Sequence, residues 1–218
     1  MKKRRPGIYE CYVKRCIDVI LSLIALIILS PILLIFTVVG AFAMHGNPFF
    51  TQERPGKNEK IFKLIKFRTM TNKKGKDGEL LPDAQRLTAY GKFIRSTSID
   101  ELPELINILK GDMSIIGPRP LLVRYLSRYT EEQRHRHDVR PGLTGYAQVH
   151  GRNTVSWEER FNMDLEYVSN ITFLGDIKII IQTVMTVLKR EGITSETSAT
   201  MEEFMGTKSS ETKENAGV

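Results

Sequence analysis

"VILSLIALIILSPILLIFTVVGAFAM", Val19 to Met44, runs for 26 residues without a charged side chain. A stretch of this length is enough to cross the roughly 30 Å hydrocarbon core of a bilayer as one helix. A cleavable leader is suggested by the basic start Lys2-Lys3-Arg4-Arg5 and by Ala41-Phe42-Ala43. The apolar core of such leaders spans only about 7–15 residues, which argues against that reading.

Two readings remain, a single crossing and a re-entrant helix. Lys2, Lys3, Arg4, Arg5, Lys14 and Arg15 precede the segment, and Arg54, Lys57, Lys60, Lys63 and Lys66 follow it. Basic flanks favour the cytosolic side, so both ends are drawn to the same face. Ser30-Pro31 lies near the middle of the run. Proline removes a backbone donor and clashes with the carbonyl four residues back, which bends a helix. The Ser30 hydroxyl can serve the carbonyl left without a partner, which lipid cannot do. On these physical grounds alone the two readings are evenly matched.

The whole chain has 218 residues, 41% of them hydrophobic, enough for one cored domain with appendages. The net charge of +7 and a pI near 9.4 point to anionic partners such as acidic lipid or phosphorylated substrates. A membrane-tethered nucleic-acid binder would carry the same charge, but would need no proline-broken apolar segment. Cys11 and Cys16 match no zinc spacing and form no disulfide framework. His135 and His137, in the charged run "EEQRHRHD", read as a solvated helix face.

Beyond the apolar segment, Ile61, Phe62, Leu64, Ile65 and Phe67 alternate with lysines and predict short strands, with a turn at Pro55-Gly56. "DAQRLTAYGKFIR", Asp83 to Arg95, predicts a helix interrupted or ended near Gly91. "KGDMSIIGPRP" reads as a loop, and a short strand is expected at Tyr146–Val149. Ser156 and Glu159 form a capping-box signature opening a helix to about Ser169. Phe173 to Arg190 predicts a second long helix, read first as a core element and alternatively as one lying in the membrane interface. The fold class expected is mixed, helix-rich α/β. Its parts are an interfacial segment (1–15), a membrane helix (16–44), a cytosolic domain (45–195) and a partly disordered tail (196–218).

In "STSIDELPELINIL", Ser96 to Leu109, residues Leu102, Leu105, Ile106 and Leu109 form an apolar helical stripe. Pro103 is tolerated only in the first turn, so Asp100 is expected as the N-cap, with Glu101 just inside. A helix N-terminus and the nearby Arg95 both favour ionised carboxylates. An ionised aspartate is a competent nucleophile toward phosphorus, although an acid at a helix start more often serves as a cap alone. Asp164 falls on the apolar face of its helix, and burial there requires a partner: a buried arginine or a functional ligand. Arg54, Arg119, Arg140 and Arg152 each adjoin proline or glycine and read as loop-borne guanidiniums suited to phosphate. No Walker A loop, dinucleotide fingerprint or nucleophile elbow occurs.

Taken in order, "FTQERPG", "FKLIKFRTM", "IRSTSIDELPELINILKGDMSIIGPRPLL", "HDVRPGLTGYAQVHGRN", "SWEERFNMDLEYV" and "LKREGI" resemble the small monotopic phosphoglycosyl transferases of the bacterial sugar transferase family. The resemblance covers residues 12–206 and implies a re-entrant helix broken at Ser30-Pro31. It implies transfer of a sugar 1-phosphate from a UDP-sugar to undecaprenyl phosphate, with Mg²⁺ required and UMP released. The family's Asp-Glu dyad falls on Asp100 and Glu101, the aspartate attacking the sugar-bearing phosphate, both acids being candidate metal ligands and Glu101 alternatively a proton-handling group. Lys66, Arg68, Arg95, Arg119, Arg140, Arg152 and Asp164 are the expected substrate contacts. The setting implied is the cytoplasmic face of a bacterial inner membrane rich in anionic lipid, with no role for nucleic acid. Thr197 to Gly206 resembles the tails of members that handle N-acetylated sugars. Tyr146 and His150 depart from the tryptophan or leucine and the asparagine common in relatives.

Overall fold

The protein is described by a computed structural model covering residues 6–151, 155–189 and 203–207. A π-helical turn, Tyr9–Val13, leads into helix α1, Lys14–Ala43, which continues through Pro31 instead of ending there. The Ser30 hydroxyl donates to the Ile27 carbonyl at 2.8 Å, the carbonyl that Pro31 cannot serve. Most of the apolar surface of α1 faces outward; Ile27, Ile28 and Leu34 are about two-thirds exposed (66%, 68% and 65%). The other face is anchored at both ends. Near its start Lys14 Nζ lies 2.6 Å from Asp176, and Asp18 accepts the Ile115 backbone N–H at 3.0 Å. Near its end Phe36 packs on Tyr90 and Phe93, and Tyr90 Oη donates to the Phe36 carbonyl at 3.1 Å.

Strands β1, Phe49–Pro55, and β2, Ile61–Phe67, form the expected antiparallel hairpin, turning at Gly56. The predicted helix at 83–95 is split into α2, Asp83–Arg86, and α3, Ala89–Ser96. The break falls at Thr88, which caps α3 by accepting the Gly91 N–H at 2.9 Å, and not at Gly91 itself. Gly91 has a different duty: a Cβ there would meet the Thr69 carbonyl oxygen at 2.0 Å, so only glycine lets α3 lie on this backbone.

After α3, a 3₁₀ turn, Ile99–Glu101, precedes helix α4, Glu104–Lys110. Asp100 therefore does not cap α4; Pro103 holds the N-cap position, and Asp100 and Glu101 occupy the tighter turn before it. The expected loop at 110–120 contains strand β3, Ser114–Ile116. Thr130 caps the short α5, Glu131–Arg134, and a 3₁₀ turn at His135–His137 follows. His137 is buried rather than solvated, while His135 pairs with Asp138 at 2.9 Å. Strand β4, Gly142–Thr144, pairs in parallel with β3, and the segment expected as a strand forms helix α6, Tyr146–His150. The pairing moves upstream because glycine permits the approach: a Cβ on Gly142 would lie 2.1 Å from the Gly117 nitrogen.

Helix α7, Trp157–Ser169, starts at the predicted capping box of Ser156 and Glu159. Helix α8, Phe173–Lys189, turns Asp176 and Ile179 inward but leaves Leu174, Ile181 and Val184 exposed, so core burial takes only part of its apolar surface. Among the described residues the core has three parts. Phe62, Leu64, Leu105, Ile108 and Met113 pack beneath Ala25, Leu26 and Leu29 of α1. Ile116, Val139, Tyr167, Val168, Ile171 and Ile179 gather around β3, α7 and α8. Leu121, Tyr125, Tyr129, Phe161 and Phe204 form an aromatic third cluster.

Candidate active site

The Asp100–Glu101 turn is fixed from both sides. Behind it, buried Asn107 on α4 accepts the Ile65 N–H at 3.0 Å and donates to the Lys63 carbonyl at 2.8 Å. This side chain takes the place of a strand neighbour at the free edge of β2 and locks α4 to the hairpin. Ahead of it, Ser98 adopts a left-handed conformation (φ 56°), uncommon for a residue with a Cβ, so the turn is held by its surroundings.

That geometry brings four charged groups together. Lys66 on β2 lies 2.7 Å from Glu101 Oε1 and 3.0 Å from the buried Glu104. Arg119 donates to the same Glu101 oxygen at 2.6 Å. Burial pushes the Glu101 carboxyl up, but Arg119 and Lys66 outweigh it and hold Glu101 well below the usual carboxylate range. Glu104 is pushed the other way: burial raises it, the neighbouring Glu101 adds to the rise, and Lys66 only partly offsets both. Glu101 in turn pulls Arg119 upward.

Asp100 differs from its neighbour. Among the described residues its carboxylate accepts no hydrogen bond. Burial, then the charge of Glu101, pushes it up to about 6, with Lys66, Arg95 and Arg119 opposing. It stays ionised near neutral pH, surrounded by three cations and tied to none. One acid is immobilised and the other is left available, which is the arrangement expected of a positioned nucleophile beside a fixed charge.

The predicted contacts divide accordingly. Lys66, Arg95 and Arg119 converge on the dyad, and Arg95 is steadied by donating from Nε to Thr69 Oγ1 at 3.0 Å. Arg68 follows β2, but its guanidinium makes no contact with the dyad among the described residues. Arg140 is not brought to the dyad: its Nε donates to the Gly111 carbonyl at 2.9 Å, beyond the far end of the seven-residue α4, about 10 Å along that helix. Arg152 lies outside the described residues. Asp164 is buried and paired with Arg136 at 2.7 Å, so it serves the structural alternative and not as an open ligand. Arg54 sits on β1 and not in a loop; burial and then Arg119 lower it to about 10.

Glu104, Asn107 and Arg136 were missed by sequence reasoning. The expected stripe Leu102, Leu105, Ile106, Leu109 is not the buried face: Ile106 is exposed, whereas Glu104, Leu105, Asn107 and Ile108 turn inward, so the apolar pattern gave no signal for Glu104 or Asn107. Arg136 carries none either, since it stands in a charged run. It donates to the Arg119 carbonyl at 2.8 Å as well as to Asp164, and so holds the loop that presents Arg119.

The sequence is similar to known proteins over most of its length. The chain is 49% identical over 194 residues to the uncharacterized sugar transferase EpsL of Bacillus subtilis, covering 88% of this chain and 96% of that one. It is 38% identical over 199 residues to an undecaprenyl-phosphate galactose phosphotransferase of Salmonella typhimurium, covering 83% of this chain and 41% of that protein. It is 36% identical over 191 residues to a UDP-N-acetylgalactosamine-undecaprenyl-phosphate N-acetylgalactosaminephosphotransferase of Aeromonas hydrophila, covering 84% of this chain and 45% of that one. The chain thus spans less than half of these two larger relatives. Residues 9–190 match the family described as bacterial sugar transferase, and the chain belongs to that family.

Proposed function

We propose that this transferase moves a sugar 1-phosphate from a UDP-sugar to undecaprenyl phosphate, releasing UMP, through a covalent intermediate on Asp100. The observation that carries the proposal is the unbonded Asp100 carboxylate beside Glu101, which Lys66 and Arg119 hold. An Asp100 oxygen attacks the β-phosphorus, the bond from that phosphorus to the bridging oxygen breaks, and UMP leaves with the electron pair. An oxygen of undecaprenyl phosphate then attacks the same phosphorus and the Asp100 carboxylate departs. Lys66, Arg95 and Arg119 stabilise the phosphoryl charge as it develops. The Salmonella and Aeromonas relatives are both named for undecaprenyl phosphate, and the Aeromonas relative also for a UDP-sugar, which supports this donor and acceptor chemistry.

Mg²⁺ fits the same place. Among the described residues no group of three or more His, Cys, Asp or Glu side chains could hold a metal alone. Mg²⁺ commonly uses only one or two carboxylates and completes its shell with water and substrate phosphate. Asp100 and the uncommitted oxygen of Glu101 would hold it. Once bound, the ion would neutralise phosphate charge.

For topology we favour a helix that re-enters one leaflet, with the domain on the cytoplasmic face of the inner membrane. The supporting observation is that α1 bonds to the same domain near both ends, through Lys14 and Asp18 and through Phe36. The exposed apolar side of α8 suits the adjoining interface, where the positive charge of the chain meets anionic lipid. An N-acetylated sugar is the favoured cargo, on the resemblance of Thr197 to Gly206 and the substrate for which the Aeromonas relative is named. A UDP-sugar panel scored by Mg²⁺-dependent UMP release tests the reaction. Release from none of them, in membranes supplied with undecaprenyl phosphate, refutes it.

A further inference from the structure

Glu203 to Thr207, near the end of the chain, belong to no helix or strand, yet they return to the core. The Phe204 ring is 2% exposed. It meets Phe161 edge-on at 5.0 Å and Tyr125 edge-on at 5.7 Å, stacks on Tyr129 at 5.9 Å and tilts against Trp157 at 5.6 Å. Polar bonds moor the segment on either side. Glu203 reaches Arg124 and Arg128, each at 2.8 Å, and the Phe204 N–H donates to Tyr125 Oη at 3.2 Å. Thr207 Oγ1 accepts from Gln133 Nε2 at 2.8 Å, and Gly206 (φ 104°) supplies the left-handed turn between them.

The rings that receive Phe204 have a second neighbour. The Arg136 guanidinium lies over Tyr129 at 5.8 Å and over Phe161 at 5.7 Å. Arg136 holds the Arg119 carbonyl at 2.8 Å, and Arg119 holds Glu101 at 2.6 Å. A continuous set of contacts therefore runs from the C-terminal segment to the dyad. We infer that Phe204 is a positioning residue: the docked segment presses Tyr129 and Phe161 against Arg136 and so sets Arg119 where it meets the donor phosphate. The inference rests on the transfer reaction proposed above. Without the Phe204 ring the cluster has a void into which Tyr129 and Phe161 relax, and Arg136 loses the walls that aim it.

Trp157 is the single tryptophan of the chain and touches Phe204, so its emission reports docking independently of activity. In full-length protein, Phe204→Ala should shift Trp157 emission and lower kcat/KM for the UDP-sugar about tenfold, well below its unfolding temperature. Phe204→Leu, which refills most of the space, should recover to within about threefold. Combined with Arg119→Lys, Phe204→Ala should add little, because both act through one contact. If Phe204→Ala does not fold, the Glu203→Ala/Thr207→Ala variant, which removes moorings and spares the core, undergoes the same measurements with the same expectations. Altered Trp157 emission with unchanged kcat/KM, or full multiplication with Arg119→Lys, overturns this inference alone. A wild type that releases no UMP from any UDP-sugar overturns it together with the transfer reaction.

Discussion

Arg119 reaches Glu101 Oε1 at 2.6 Å, the same oxygen that Lys66 Nζ meets at 2.7 Å. Two cations on one carboxylate oxygen leave Asp100 without a partner of its own, so the division of labour in the dyad is set by where Lys66 and Arg119 point.

Arg119→Lys keeps the charge but shortens the reach and removes the planar fork. Loss of one charge-assisted contact to the developing phosphoryl charge costs about 10²–10³ in kcat. UMP release should fall by that order, while the thermal midpoint changes little because the Arg119 side chain is partly exposed (39%). A large drop in midpoint with preserved activity would make Arg119 a structural residue instead.

Asn107→Leu leaves the Ile65 N–H and the Lys63 carbonyl, both at the edge of β2, without the side chain that pairs them. Stranded polar groups of this kind cost on the order of 3 kcal/mol together. Denaturant unfolding of the variant should show that loss, with activity falling in parallel because α4 carries the turn before it. An unchanged midpoint would mean that water replaces Asn107 at no cost.

Much of this was legible in the sequence, for identifiable reasons. Alternation revealed the β1–β2 hairpin, the Ser156–Glu159 pair located the start of α7, and Ser30-Pro31 marked the repair at Ile27. The readings that missed did so where a long-range contact overrode a local signal. Asp100 looked like a cap because acids begin helices, but the turn is held by Lys66 and Arg119 from other elements. Gly142 and Gly117 hid a strand pairing, since glycine reads locally as loop. Phe204 sat in a polar tail whose composition gave no hint of rings waiting 40 or more residues upstream. The pair Asp100–Glu101 was singled out by family resemblance; the physics of the segment only permitted the role proposed for it.

The pH dependence follows from Asp100. Burial raises it to about 6, and in the proposed reaction the attacking form is the deprotonated one, so kcat/KM should fall about tenfold per unit below pH 6. Lys66 lowers this value, so Lys66→Met removes a stabilising cation and moves the acid limb to higher pH. A pH–rate profile of both proteins checks the sign; an acid limb that moves to lower pH in Lys66→Met contradicts it.

Topology is tested by labelling. Cys11 is exposed at one end of α1, and His45→Cys in a Cys11→Ser/Cys16→Ser background marks the other. A membrane-impermeant maleimide should label both sites in inside-out vesicles and neither in intact spheroplasts. Labelling of one end from outside would establish a crossing helix.

The central claim is that Asp100 carries the phosphosugar. Incubating the enzyme with its UDP-sugar and Mg²⁺ without undecaprenyl phosphate, quenching, and measuring intact mass addresses this directly. The account predicts an added sugar phosphate that maps to Asp100, is absent in Asp100→Asn, and disappears when undecaprenyl phosphate is supplied. An unmodified enzyme that nonetheless transfers at the wild-type rate, or an Asp100→Asn variant that turns over normally, would contradict it.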